Sequence, residues 1–220
     1  MNILGIADIE AKALWDYYSP ERTRDADIII SCGDLNPDYL QFLVSMTNKK
    51  LLYIYGNHDT QYETNPPLGC VNIDGRVYEH NGIRILGLGG CMKYKPSNLM
   101  FTEDQMKRRI MKVTPQIALM GGFDILVTHA PAAGYGDLED MPHWGFACFN
   151  ELIERWKPKL MLHGHVHQTY SAGFKRTMTH AAGTQIHNCY SYCNIEYDDS
   201  EPVERSVLSR LYASLRKQED

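Results

Sequence analysis

No apolar run in this 220-residue chain approaches the ~20 residues that cross a bilayer, so a membrane-spanning protein is not expected. A basic surplus is also missing: 22 Lys and Arg stand against 27 Asp and Glu, for a formal net charge of −5. That argues against a broad nucleic-acid-binding surface, which must neutralise phosphates with cations. A nucleotide substrate stays open, because a bound metal can supply positive charge locally. The opening MNILGIADIE has no basic segment ahead of its apolar residues and reaches Asp8 at once, so it reads as a first strand and not a signal peptide. The six cysteines, Cys32, Cys70, Cys91, Cys148, Cys189 and Cys193, are scattered. With no mark of secretion, reduced thiols in a cytoplasmic protein are the simpler expectation. Repeats, low-complexity tracts and long linkers are lacking too, which leaves a single domain over residues 1–220.

What is present is an alternation of apolar and amphipathic segments. Residues 2–7 read as a strand, 11–18 as a short helix, and 27–32 (DIIISC) as a strand buried on both faces. Residues 37–46 fit a helix with Pro37 in its first turn, and 51–55 a third strand, so the chain opens β-α-β-α-β. A loop with Pro66, Pro67 and Gly69 leads to a hairpin, 76–79 and 83–88, turned at Asn81-Gly82. Thr102 is placed to cap a helix from Glu103 onward, which Pro115 limits or bends. Strands are expected at 123–128 and 159–162 with a helix at 146–156 between them. Extended runs near 169–174, 177–181 and 189–197 and an amphipathic helix over 203–217 complete the chain. An α/β domain with one mixed, largely parallel sheet or two packed sheets fits this order.

Five apolar strand candidates each end in metal-competent groups. They run into Asp8-Ile9-Glu10, Gly33-Asp34, Gly56-Asn57-His58-Asp59, His129 and His163-Gly164-His165-Val166-His167. In open α/β sheets, sites form beyond the carboxyl ends of the strands, so the five motifs should converge in one cleft. Singly each has a plainer explanation: a helix cap, a turn, a satisfied histidine, a loop bonding its own backbone. Jointly, in this order, they are hard to explain by chance.

This set closely resembles the calcineurin-like metallophosphoesterase family, whose motifs run D-x-H, G-D, G-N-H-D/E, H and G-H-x-H. The last four are intact here, and the resemblance spans Asp8 to His167. It implies two packed mixed β-sheets flanked by helices, a four-layer α/β/β/α sandwich with metals at the strand ends. By position it implies that Asp34 bridges two divalent ions, with Asp8 and His167 on the first and Asn57, His129 and His165 on the second. Oxygen-rich sites with imidazoles suit Mn, Fe, Zn or Co better than a soft-thiolate metal, and manganese ranks first. Two such metals clamp an in-line displacement at phosphorus and make hydroxide available near neutral pH. His58 matches the family's histidine near the leaving-group oxygen, where it donates a proton or stabilises charge. Asp59 is then placed to orient His58.

Glu10 departs from the pattern, standing where the family carries His. It either ligates the first metal, directly or through water, or is a solvated acid favoured at the start of the helix expected near Ala11. The leading function is hydrolysis of a small phosphodiester or phosphomonoester, the diester slightly preferred and a nucleotide-like compound admissible. The competing one is a binding scaffold that has lost catalysis, against which His58 speaks. A hydrolase acting on a bond other than phosphorus is disfavoured by the bridging Asp with G-N-H-D. Lys93 and Lys95 in the run 89–96 read first as surface lysines, although that loop can reach the cleft. The loop 134–145, with Asp137, Glu139, Asp140, His143 and Trp144, should shape the pocket. His187, Cys189 and Cys193 read as packed strand residues and not as a second metal site. An oligomer is admissible, through the helix at 203–217 or the hairpin.

Overall fold

The computed structural model describes residues 1–170 and 172–200, so the helix expected over 203–217 lies outside the described residues. In chain order the strands are β1 (Asn2–Ala7), β2 (Ile28–Ser31), β3 (Lys50–Tyr53), β4 (Val71–Asn72), β5 (Val77–His80), β6 (Ile83–Leu88), β7 (Cys91–Met92), β8 (Met100–Phe101), β9 (Ile125–Thr128), β10 (Leu160–His163), β11 (Thr177–Thr179), β12 (Gln185–Asn188) and β13 (Ser191–Glu196). The helices are α1 (Pro37–Thr47), α2 (Glu103–Leu119) and α3 (Ala147–Trp156). One sheet has the order β13-β1-β2-β3-β4, parallel except for β13. The other has the order β11-β12-β10-β9-β6-β5, parallel except for its two edges. A β7-β8 pair stands apart.

The layers follow from the two-residue side-chain period of a strand. In β2, Ile28 and Ile30 enter the core between the sheets, where they meet Ile85, Ile125, Val127 and Leu162. Ile29 points the other way, with Leu4, Ile6 and Leu51, and packs under Tyr39, Leu40 and Leu43 of α1. Leu86, Leu88, Leu126 and Met161 face outward from the second sheet onto Met106, Val113 and Ile117 of α2 and Phe149 and Ile153 of α3. Because both faces of both sheets are covered, the central strands read as unbroken apolar runs. The result is the four-layer α/β/β/α sandwich that the resemblance implies.

α1 begins with Pro37 in its first turn, as expected, and the Asn36 side chain accepts the Asp38 amide. α2 opens with a reciprocal Thr102–Gln105 capping box. It also runs through Pro115, because its buried stripe seats it on the sheet across the missing donor. The β5–β6 hairpin turns at Asn81 and Gly82, both with positive φ (49° and 86°), as a primed two-residue turn requires.

Two expectations need correction. Residues 11–18 form only a 3₁₀ turn at Lys12–Leu14: its N-cap Ala11 offers no side-chain cap, and Trp15 leaves helical geometry to stack on Tyr39 at 5.1 Å. Of the described residues in the run expected to be extended near 169–174, residues 169, 170, 172 and 173 lie in turns, and Tyr170 N donates to His167 O. The run 189–197 holds a crossing as well as a strand. The Asn188 side chain accepts Tyr190 N, Ser191 takes φ 62°, and the chain passes from β12 in one sheet to β13 in the other.

Candidate metal centre

The carboxyl ends of β1, β2, β3, β9 and β10 deliver all five motifs to one rim of the sandwich. There the metal-competent atoms of Asp8, Asp34 and His129 lie within 4.8 Å of one another. Asp34 Oδ2 is 3.2 Å from His129 Nε2, which is 3.0 Å from Asn57 Oδ1. His129 Nδ1 donates to Cys32 O at 2.7 Å, so Nε2 is the nitrogen turned to the site. His165 donates from Nε2 to Pro142 O at 2.7 Å, which leaves Nδ1 as its lone-pair nitrogen. Its ring centroid is 4.9 Å from that of His129. On the other flank His167 Nε2 is 3.8 Å from Asp8 Oδ1, and its ring stacks on Tyr170 at 4.4 Å. The Asp8 carboxylate also accepts His165 N, at 2.9 and 3.1 Å.

The backbone adopts costly conformations to achieve this. Asp8, Asp34 and His165 are left-handed, with φ of 71°, 58° and 68°, a region that non-glycine residues occupy at a cost of order 1–3 kcal/mol. The neighbouring loops approach so closely that a Cβ on Gly56 would fall onto the Asp34 carboxylate. One on Gly164 would stand 2.6 Å from Ala7 Cβ.

The electrostatics fit a cation. Burial pushes the Asp8 carboxyl up to about 7, although the His129 charge pulls the other way. Burial acts against charge on Asp34 too, but the His129 charge, its hydrogen bond and the His58 amide outweigh it and hold this carboxyl at about 2. Burial opposes a charged His129, yet Asp34 and Asp8 raise it to about 9. A proton on His129 thus offsets the two carboxylates, as a bound cation would. Burial, and then the His129 charge, depress His165 to about 3. His167 is also lowered, chiefly by burial. Neutral imidazoles beside ionisable carboxylates form a donor set suited to a divalent transition metal.

The remaining predicted residues take other places. Asp59, expected to orient His58, is engaged by backbone amides. Its Oδ2 accepts Gly56 N at 2.7 Å and Asp34 N at 2.8 Å, tying the second and third motif loops together. The chain enters a 3₁₀ turn at Asp59–Glu63, which carries Asp59 inward while His58 stays exposed. The His58 amide donates to Asp34 Oδ1 at 2.7 Å, and its side chain lines a cavity of about 520 Å³ with Thr60, Lys95, Pro96, Ser97 and Asn98. Glu10 Oε1 accepts Asn36 N at 2.8 Å. Its charge therefore serves the N-terminus of α1, since no helix starts at Ala11, and it is outside the Asp8–Asp34–His129 group. His187, Cys189 and Cys193 form no metal-competent group among the described residues. Sequence reasoning missed the orienting carbonyls of Cys32 and Pro142 and the rings of Tyr170 and Tyr190 beside His167. The carbonyls carry no sequence signal. Tyr170, three residues after His167, offered only its position.

Comparisons with known proteins give the family and the fold. Residues 1–169 match the model of the calcineurin-like phosphoesterase family. A UPF0046 protein of Caenorhabditis elegans is 25% identical over 182 residues, 66% of this chain and 62% of that protein, so the chain spans less than two thirds of that relative's length. Among solved structures, TT1561 of Thermus thermophilus superposes with a TM-score of 0.62 at 15% identity, covering 86% of this chain and 88% of that one. A 5′-nucleotidase from Candida albicans superposes with a TM-score of 0.54 at 14% identity, covering 99% of this chain and 57% of that one. Among the described residues, no helix is long and apolar enough to cross a membrane. With its motif loops gathered at one rim and the family match running from the first strand past His167, this chain belongs to the calcineurin-like phosphoesterase family.

Proposed function

We propose that the chain hydrolyses phosphoesters at a centre of two divalent metal ions. The observation that carries this reading is the convergence of Asp8, Asp34 and His129 within 4.8 Å. Asp34 stands between two flanks: Asp8 and His167 would hold one ion, and Asn57, His129 and His165 the other. Bound there, divalent ions would polarise phosphoryl oxygens and make hydroxide available near neutral pH. Manganese ranks first, with iron, zinc and cobalt as alternatives. The protein's own contribution is positional. Cys32 O and Pro142 O fix two imidazoles, the Asp59 carboxylate locks the loops that present Asp34 and Asn57, and exposed His58 stands where it can give a proton to a departing oxygen. Glu10 acts as a brace on α1 through Asn36. A phosphodiester is preferred over a monoester, and a nucleotide-like compound suits the cavity beside His58; the cytoplasm is the proposed compartment.

The test is turnover of an activated phosphodiester and its matching monoester by metal-free protein reconstituted with Mn²⁺, beside His58→Ala and Asp34→Ala. Metal-dependent turnover that falls on the order of 10²-fold or more in His58→Ala is expected. Protein that binds Mn²⁺, Fe²⁺, Zn²⁺ or Co²⁺ yet turns over neither ester would refute the enzyme reading in favour of a scaffold.

A further inference from the structure

Of the residues that line the 520 Å³ cavity beside His58, the hydrolytic reading uses only Asn57 and His58. Its volume falls within the ~300–1,000 Å³ of small-molecule sites. Asn57 and His58 form the wall next to the metal centre, and Thr60, Lys95, Pro96, Ser97 and Asn98 form the rest. Six of these seven residues are polar, Lys95 is the one cation among them with its ammonium 5.3 Å from the Tyr94 ring centroid, and no Asp or Glu lines the space. This composition contrasts with the centre next door, where Asp8, Asp34 and Asp59 crowd together. With one cation and no carboxylate among its residues, this wall favours an anion over a cation.

The lysine-bearing loop is also held in place. Arg109 forks onto both oxygens of Asp74 at 2.7 Å, reaches Gly89 O at 2.6 Å, and lies 4.4 Å from the Phe101 ring. Asp74 accepts Gly89 N at 2.6 Å, and Gly90 N donates to Tyr55 O at 2.7 Å. These bonds fix the corner after β6 against the residue that precedes Gly56-Asn57-His58. The β7–β8 pairing then closes the base of the loop, with Cys91 N on Leu99 O and Lys93 N on Phe101 O. In sequence Lys93 and Lys95 look alike; of the two, Lys95 lines the cavity.

Resting on the phosphoesterase reading, we propose that this cavity is a second anion subsite: Lys95, with Ser97 and Asn98, receives a further phosphate on the substrate arm beside His58. The substrate class is then a compound with two phosphate groups, one reacting at the metal centre and one held by Lys95, such as a nucleoside carrying separate phosphates. A phosphoester with neutral arms would react without using the subsite.

The test uses the full-length, Mn²⁺-loaded protein and hydrolysis of bis-p-nitrophenyl phosphate, whose arms are uncharged. Adenosine 3′,5′-bisphosphate and adenosine 5′-monophosphate are added as competitors to the wild type, Lys95→Ala, Lys95→Arg and Lys93→Ala. In the wild type the bisphosphate should inhibit on the order of 10-fold more tightly than the monophosphate, as one charged hydrogen-bonding contact allows. Lys95→Ala should erase that difference and leave kcat and KM for the neutral-armed ester within about two-fold. Lys95→Arg should restore it, and Lys93→Ala should behave as wild type. Equal inhibition by the two nucleotides in the wild type, or equal effects of Lys95→Ala and Lys93→Ala, would overturn the subsite and leave the phosphoesterase reading standing. Absence of hydrolysis of bis-p-nitrophenyl phosphate by the wild type would instead sink both.

Discussion

Substituting Asp59 separates a brace from a catalytic partner. Both hydrogen bonds of this carboxylate converge on one oxygen, with Gly56 N at 2.7 Å and Asp34 N at 2.8 Å. Asp59→Ala leaves two inward-facing N–H groups without an acceptor, at ~1–3 kcal/mol each, so a loss of roughly 2–6 kcal/mol is expected. Asp59→Asn behaves differently, because a single amide oxygen has lone pairs for both bonds. It also removes a charge: burial, and then the nearby Asp34 carboxylate, raise Asp59 from 3.8 to about 7. A carboxyl whose folded value lies above its unfolded one stabilises the protein when protonated, and that stability is lost as pH rises from about 4 to about 7. A shift of that size corresponds to on the order of 4 kcal/mol as an upper bound. In metal-free protein, Asp59→Asn should therefore be more stable than wild type at pH 8, with the gain closing toward pH 4. Urea denaturation in the presence of a chelator at both pH values measures this, and turnover with Mn²⁺ completes the test. If Asn destabilised as much as Ala, the brace would be wrong. If Asn kept stability but abolished turnover, Asp59 would return to the role of orienting His58.

Three further outcomes follow from other parts of the structure. In metal-free protein, His129 is raised to about 9 and Asp8 to about 7; the stability from Asp8 fades as pH rises from about 4 to 7, and that from His129 between about 6.5 and 9. Metal binding needs the ionised carboxylate and the neutral imidazole, so the rise in Tm on adding Mn²⁺ should grow from pH 6 to pH 9; a flat or falling trend in thermal melts counts against the assignment. Arg84 and Asp124, 2% and 4% exposed, pair at 2.7 Å at the amino ends of β6 and β9, away from the metal rim. Arg84→Ala should cost ~3–5 kcal/mol by leaving Asp124 buried and unpaired, with turnover below Tm preserved; denaturant titration reads the first and a steady-state assay the second. Glu10→Gln, which can still accept Asn36 N, should change Mn²⁺ affinity less than about three-fold by calorimetry, whereas a loss of 10-fold or more would make Glu10 a ligand.

Much of the layered fold was legible because its strands are short, apolar and bounded. Ile28–Ser31 and Ile125–Thr128 are buried along their whole length, and a strand covered on both faces announces itself as a β-branched run. The starts of α1 and α2 were legible too, since Pro37 in a first turn and Thr102 as a cap act over a few residues, while the Asn36 cap and the Gln105 half of the capping box came from the structure. Residues 11–18 misled because their helical pattern competes with stacking of Trp15 on Tyr39, a residue of α1 distant in sequence. The crossing at Asn188–Ser191 was invisible for a similar reason: which sheet an extended segment joins depends on partners far away in the chain.

For the site, the sequence by itself determined the donor types, their order and their places after strands, because each motif is a local arrangement at a strand end. It could not assign the work of Glu10 and Asp59, two carboxylates in motifs of the expected form. Only the tertiary structure decided that Glu10 accepts the Asn36 amide and that Asp59 clasps Asp34 to Gly56. It also decided that Pro142 O turns His165, and that Lys95 and not Lys93 reaches the cavity of His58. The reason is geometric: a carboxylate or an ammonium has the same chemistry wherever it lies, and which partner comes within 3 Å is set by how separate loops meet above the two sheets.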